Sequence, residues 1–397
     1  MEKYRTLDGV QLSGKRVLLR AGFDVTIDGG KVMDRERIEA LVPTMQEIMA
    51  LSPLIIVSHQ GRPKGKRAMA FSQKPIVPVL EEVLGTNVQF AESCVGPETE
   101  AITRTLKKGE VLFLENLRFE PGEESNDPAF AKQLAALGDA YVNDAFTNCH
   151  RKHASMVGVP KLLPAYAGRQ LEKELQYLSQ VVEEPRRPLV LIVSGAKMET
   201  KVPVIRRFLD KGDDILLGGC IANTFIAARG FDVGTSRYEE DMTEQAQEMM
   251  LEAEKAEKAD IHVPRDVVVA SEPSESAQKI DLPVEDIMGD MSIFDIGKVT
   301  IERYRAAIDK AGMIVWNGPL GLYEMNRFSH GTKRIAEAIA AATKRGAVTI
   351  IGGGDTLDFH VRYGYPLDAY TFVSTGGGAM LEYISGKPLQ AIELLRR

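Results

Sequence analysis

Short runs of valine, isoleucine and leucine alternate with amphipathic stretches along this chain. The apolar runs lie at Val17–Ala21, Leu54–Ser58, Val111–Leu114, Ala140–Asn143, Leu189–Ser194, Asp214–Leu217, Val267–Ala270, Met313–Trp316, Val348–Ile351 and Phe372–Ser374. Most lack polar alternation, which is how parallel strands covered on both faces read. Helical periodicity marks Arg35–Ala50, Ala129–Leu137, Glu239–Lys258, Ile301–Lys310 and Thr332–Lys344. Strand–helix–strand repetition predicts an α/β fold with right-handed crossovers.

The rhythm breaks once, at Glu183-Glu184-Pro185-Arg186-Arg187-Pro188, after a single helical stretch at Gly168–Val182. A chain of 397 residues has room for two cores. The break therefore predicts a first domain over 1–168, an interdomain helix over 169–184 and a second domain over 185–397. The division leaves room for the last residues to pack back on the first domain. No apolar run approaches the ~18–20 residues that span a bilayer, and no apolar segment of the signal-peptide kind follows Met1–Arg5. Three scattered cysteines do not make a disulfide framework. A cytoplasmic protein is the expectation. The net charge of −7 argues against a nucleic-acid partner, so an anionic ligand needs a local basic cluster.

The second half places glycine after nearly every strand: Ser194-Gly195-Ala196-Lys197, Gly218-Gly219-Cys220, Asn317-Gly318-Pro319-Leu320-Gly321, Gly352-Gly353-Gly354-Asp355-Thr356 and Thr375-Gly376-Gly377-Gly378. Ligands of open α/β sheets bind beyond these strand ends. Glycine lets backbone N–H groups approach a phosphate, and a helix N-terminus adds partial positive charge. Five such turns in one domain favour nucleotide binding over tight turns alone. The dinucleotide fingerprint G-x-G-x-x-G is missing. The P-loop near miss at Gly9, Gly14 and Lys15 is rejected, because Arg16 and a strand follow it. Asp355 either caps a helix or holds Mg²⁺. Lys197 and Lys201 share a face if Lys197–Leu209 is a helix.

The strand ends of the first half carry Arg20, His59, Arg62, Arg118 and Arg151, with Arg37 opening a helix. Arginine forks suit phosphate and carboxylate oxygens, so this side reads as an anion site. Cys149-His150-x-x-His153 lacks the further ligands of a zinc site. Trp316 reads as core. Together the residues describe one lobe for a small anion and another for a nucleotide, hence phosphoryl transfer with closure against water.

These segments resemble the phosphoglycerate kinase family across essentially the whole chain. The likeness is carried by Ser58–Gly65, Glu115–Phe119, Asp144-Ala145-Phe146, His150–Ser155, Gly195-Ala196-Lys197, Asn223-Thr224-Phe225, Asp295-Ile296-Gly297, Val315–Pro319, Gly352–Thr356 and Phe372–Ala379. The resemblance implies two doubly wound, Rossmann-like domains and a monomeric, hinge-bending cytoplasmic enzyme of glycolysis and gluconeogenesis. It implies reversible phosphoryl transfer between 1,3-bisphosphoglycerate and MgADP. It places Gly22, Phe23, Asp24, Arg37, His59, Gln60, Gly61, Arg62, Arg118 and Arg151 on the phosphoglycerate in the first domain. It places Lys201, Asn317, Pro319, Glu324, Gly353, Gly354, Asp355 and Thr356 on the nucleotide in the second, with Asp355 toward Mg²⁺. Arg37, Lys197 and the amides of Gly376, Gly377 and Gly378 would clamp the phosphoryl group in transit.

The chain departs from the family pattern in places. Gly22-Phe23-Asp24 stands for Asp-Phe-Asn, Thr147-Asn148-Cys149 for Gly-Thr-Ala, and Cys220 and Ile293 each for a glycine. An acid at Asp24 beside an anionic ligand calls for a partner, and Arg20, Arg37 or another cation is expected to supply it. Two rival readings are a non-catalytic phosphate-ligand sensor and a dehydrogenase. Retention of Arg37, Lys197, Lys201 and Asp355 together weighs against the first, and the missing fingerprint against the second.

Overall fold

The computed structural model describes residues 3–255 and 258–397. The chain divides into two compact units. Unit 1 comprises residues up to Gln176 together with Pro388–Arg397, and unit 2 is Tyr177–Lys387. The division falls inside one helix, Arg169–Glu183. Among the described residues no helix is long and apolar enough to cross a membrane.

Unit 1 is built on strands β1 (Val17–Ala21), β2 (Leu54–Val57), β3 (Val88–Ala91), β4 (Val111–Leu114), β5 (Ala140–Asp144) and β6 (Ala165–Ala167). They form one parallel sheet in the order β3-β4-β2-β1-β5-β6. The central strands are buried along their whole length because helices cover both faces. Ile38, Met45, Ile48 and Leu80 pack against Val17, Leu19, Leu54 and Ile56 on one of them.

The stretch Arg35–Ala50 is two helices, Glu36–Glu39 and Val42–Met49. Pro43 explains the break: a proline in mid-helix loses an N–H and crowds the carbonyl four residues back, but it fits a first turn. The two ends of unit 1 meet, with Arg5 N–H donating to Leu395 C=O at 2.8 Å and Arg397 N–H to Lys3 C=O at 3.0 Å.

Unit 2 carries β7 (Leu189–Val193), β8 (Asp214–Leu217), β9 (Asp260–His262), β10 (Asp266–Ala270), β11 (Ile280–Pro283), β12 (Ser292–Ile296), β13 (Met313–Asn317), β14 (Val348–Gly352) and β15 (Phe372–Ser374). Six form a parallel sheet in the order β9-β8-β7-β13-β14-β15. The Val267–Ala270 run is not one of them. It is the middle strand of a separate antiparallel sheet, β11-β10-β12. Its unbroken burial comes from cover on both faces, which does not depend on strand direction.

The helix expected over Glu239–Lys258 is Thr243–Ala253, preceded by a 3₁₀ turn at Glu240–Met242; part of that stretch lies outside the described residues. Trp316 is fully buried, edge-on to Phe359 and Tyr370.

Candidate functional site

In unit 1 the carboxyl ends of β1, β2 and β4 lead into loops that are tied to one another. Phe23 N–H donates to Ser58 Oγ at 3.1 Å, and Val25 N–H to Gln60 Oε1 at 3.3 Å. Gln60 Nε2 returns a bond to Val25 C=O at 2.5 Å. Asn116 caps the short helix Leu117–Phe119 and donates to Gln60 C=O at 2.7 Å. Arg118 donates to Gly61 C=O at 2.7 Å. Gly61 has φ +59°, and a Cβ there would sit 2.4 Å from the Phe71 ring, so the tight turn admits only glycine.

His59 sits at the centre and is nearly fully buried. The Arg20 guanidinium lies 3.0 Å from its Nδ1. Guanidinium only donates, so Nδ1 is the acceptor and the ring proton sits on Nε2. Burial, then the charges of Arg20 and Arg118, hold its pKa well below the usual range, so the ring is neutral. Nε2 faces Asp24 Oδ2 at 3.6 Å, and Asp24 Oδ1 accepts the Gly61 N–H at 2.9 Å.

The cationic partner expected for Asp24 is therefore not the one found. Arg37 bonds to the backbone carbonyl of Asp24, and Arg20 is committed to His59, Ser155 and the Ala21 carbonyl. Arg20 is fully buried and lines no open anion site; its nearest buried counter-charge, Glu123, is reached through Ser155. Gly22 is buried against Thr147, whose Oγ1 would lie 3.3 Å from a Cβ at position 22. The added side chain at 147 thus stands beside the space that Gly22 leaves. Arg62 and Arg151 are exposed and enter none of these bonds.

The structure joins Phe23, Asp24, Arg37, His59, Gln60, Gly61 and Arg118 directly, with Gly22 at their edge. The Cys149–His153 segment forms no ligand cluster. Cys149 is buried on Ala145 and Asn143, and His153 lies 3.7 Å from Glu123. Among the described residues the one group within ligand spacing is Asp214, Asp260 and His262, at the start of β8 and along β9.

In unit 2 four of the five strand-end glycine turns, all but Thr375–Gly378, contribute to the lining of a cavity of about 490 Å³. Pro319, Glu324 and Asp355 line it. Beside it, buried Asn317 accepts from Lys201 Nζ and donates to Gly352 C=O at 2.8 Å. Thr356 Oγ1 accepts the Gly318 N–H at 2.9 Å and donates to Gly352 C=O at 3.1 Å. Gly353 has φ +106°, and a Cβ there would meet Asn317 Nδ2 at 2.7 Å. Burial pulls the Lys201 pKa down to about 8, against the opposing charge of Asp355.

Asp355 is exposed in the first turn of helix Gly354–Tyr363, whose N-cap is Gly353, and its carboxylate makes no capping bond. The shared helical face of Lys197 and Lys201 does not form. The helix starts at Val202 with Pro203 in its first turn, and Lys197 lies before it, exposed. Gly376 donates to Ser374 Oγ at 3.1 Å, and Gly378 opens helix Gly378–Ile384; no described bond ties Lys197 or Gly376–Gly378 to the cavity.

Sequence reasoning missed Thr235, Arg237, Ser292 and Phe294, which also line the cavity. They come from a loop and the antiparallel sheet, where no strand-end rule points. The departures Cys220 and Ile293 line it too.

The phosphoglycerate kinase family model matches residues 7–387. A phosphoglycerate kinase of Methylorubrum populi is 45% identical over 399 residues, covering 100% of this chain and 99% of that protein. One from Moorella thermoacetica is 44% identical over 392 residues, covering 98% of each. Among solved structures, phosphoglycerate kinase from Coxiella burnetii aligns with a TM-score of 0.89 at 36% identity, covering 99% of this chain and 98% of that one. The Pyrococcus horikoshii enzyme aligns at 0.84 and 30%, covering 98% of each.

Proposed function

The chain belongs to the phosphoglycerate kinase family, and from that premise we propose which of its residues hold each substrate. The reaction is the reversible transfer of a phosphoryl group between 1,3-bisphosphoglycerate and ADP, giving 3-phosphoglycerate and ATP in glycolysis. Residues 1–168 bind the phosphoglycerate through Gly22, Phe23, Asp24, Arg37, His59, Gln60, Gly61, Arg62, Arg118 and Arg151. Residues 185–397, after the helix 169–184, bind the nucleotide through Lys201, Asn317, Pro319, Glu324, Gly353, Gly354, Asp355 and Thr356.

The observation that carries the nucleotide half is the Lys201–Asn317–Gly352 chain of bonds beside the cavity. A half-buried ammonium held at the mouth of a glycine turn suits phosphate oxygens. Asp355 fits Mg²⁺: its exposed carboxylate is a hard oxygen donor with no described hydrogen bond or ion pair. Mg²⁺ bound there with the nucleotide would neutralise phosphate charge.

The acceptor in either direction is already an anion, a carboxylate or an ADP phosphate, so no general base is needed. What the chain supplies is position and compensating charge. His59, neutral and fixed by Arg20, offers a donor Nε2–H without adding charge. Arg37, Lys197 and the amides of Gly376–Gly378 act on the group in transit. The protein works as a cytoplasmic monomer.

A coupled assay with 3-phosphoglycerate and MgATP tests the reading. Turnover that needs both substrates supports it. Binding of both without turnover would make the chain a sensor.

A further inference from the structure

Lys197 stands on the segment between the end of β7 and the helix Val202–Lys211, with its side chain in solvent. A long, flexible side chain on a loop is aimed by its backbone or not at all. The peptide that leaves Lys197 is held at both of its polar groups. Its carbonyl accepts from Thr200 Oγ1 at 3.0 Å. Its N–H, that of Met198, donates to Glu239 Oε2. The Met198 carbonyl accepts from the N–H groups of Lys201 at 2.7 Å and Val202 at 3.0 Å, and the Met198 side chain is buried. Met198 is thus the fixed point between the two lysines. Of the bonds that fix it, the one from Glu239 reaches in from outside the segment.

Glu239 is anchored in turn. Its N–H donates to Thr224 Oγ1 at 3.2 Å, and Thr224 Oγ1 donates to Cys220 C=O at 3.0 Å. Asn223 Nδ2 donates to Arg237 C=O at 3.0 Å. Asn223 and Thr224 are buried in the helix Gly219–Ala228, which follows β8, the neighbour of β7 in the sheet. Asn223-Thr224-Phe225 is a segment that the substrate contacts leave without a task. Its first two side chains pin residues 237–239 to a rigid helix, and Glu239 carries that anchorage to the backbone beside Lys197. A bond from an amide to a carboxylate is about twice as strong as one between neutral groups, which suits an anchor for a loop. Glu239 does not itself line the cavity, so it can act on the reaction only through what it holds.

We propose, on the reading that Lys197 acts on the phosphoryl group in transit, that Glu239 is a positioning residue for Lys197, with Asn223 and Thr224 as its support. Its work is that of a hydrogen-bond acceptor for Met198 N–H. An amide oxygen at the same place does the same work, and the negative charge is dispensable.

The test measures kcat and both KM values for Glu239→Ala and Glu239→Gln, each with Lys197 present and with Lys197→Ala. With Lys197 present, Glu239→Ala should lower kcat about tenfold or more and leave both KM values within about threefold. Glu239→Gln should restore kcat to within about threefold of the unaltered protein. In the Lys197→Ala background Glu239→Ala should cost less than about twofold more, because the group it aims is gone. Thr224→Val keeps the shape and removes only the acceptor for Glu239 N–H. It should lower kcat about threefold or more with Lys197 present and leave it unchanged without, which tests the same anchorage should Glu239→Ala fail to fold. Equal losses in the two backgrounds would overturn the inference and leave Lys197 its part in transfer. So would a Gln variant as slow as the Ala variant, or an Ala variant with unaltered kcat. A Lys197→Ala protein with undiminished kcat would overturn the reading of Lys197 itself.

Discussion

Arg20 and Glu123 are two fully buried charges joined through a single hydroxyl. Ser155 Oγ accepts from Arg20 Nε at 2.9 Å and donates to Glu123 Oε1 at 2.6 Å, while Ser155 N–H donates to Glu123 Oε2 at 2.9 Å. Burial works to raise the Glu123 pKa, and His153, Arg20 and Ser155 together bring it below the usual value. The direct partners of Arg20, namely Ser155, the Ala21 carbonyl and neutral His59, carry no charge. Glu123 is what neutralises it.

Glu123→Gln keeps the shape and strands the guanidinium, at a cost of about 3–5 kcal/mol. Arg20→Met strands the carboxylate at a similar cost. The double variant strands neither charge, so its loss should fall at least about 2 kcal/mol short of the summed singles. Hydrogen exchange of the β1 amides, Val17–Ala21, in sub-denaturing urea reads this in unit 1. Trp316, the single tryptophan, is in the unit 2 core, and its unfolding signal serves as the control. Single-variant losses that add to within about 0.5 kcal/mol would refute the reasoning, because the charges would then be stabilised independently.

Three further outcomes follow from the sites. Asp24→Asn keeps an acceptor for Gly61 N–H and removes a negative charge that no cation contacts directly. KM for 3-phosphoglycerate should fall several-fold at low ionic strength and the gain should fade in salt; an unchanged KM at both would show the charge is already compensated. Lys201 loses its charge above about pH 8, and nucleotide phosphates favour the ammonium form. KM for the nucleotide should therefore stay level near pH 7 and climb above pH 8, with no such climb in Lys201→Met; a flat profile in the unaltered protein refutes the placement. Arg37→Ala or Lys197→Ala should cut kcat by about a hundredfold or more with smaller changes in KM, and a pure KM effect would remove that residue from the transfer step.

The parallel sheets were legible because their central strands are short, buried on both faces and rich in branched residues. Of the edge strands, Phe372–Ser374 was legible in the sequence, but Val88–Ala91, Ala165–Ala167 and Asp260–His262 were not. Val88–Ala91 carries an exposed Gln89, and Ala165–Ala167 spans three residues. The antiparallel β10 reads like a parallel strand because burial sets composition and direction does not. The basic side of unit 1 was legible as a set of arginines, but the sequence could not show which of them turn inward. Arg20 and Arg118 turn inward, unlike the exposed Arg62 and Arg151, and what holds them there is Ser155, His59 and Gly61, all distant along the chain. Lys201 was placed by its distance from a strand end, whereas Arg237 stands in a loop with no motif around it.

Unit 1 closes with Pro388–Arg397, whose backbone bonds to Lys3 and Arg5 bring residues 3–5 and 395–397 side by side. Unit 2 is therefore an insertion within unit 1. During synthesis the last segment of unit 1 emerges only after all of unit 2, so unit 2 can fold while unit 1 still waits for its final helix, Gln390–Glu393. A circular permutant that links the paired ends and opens an exposed loop elsewhere in unit 1 would keep that contact local in sequence. It should shorten the loop that folding has to close, and so speed the completion of unit 1.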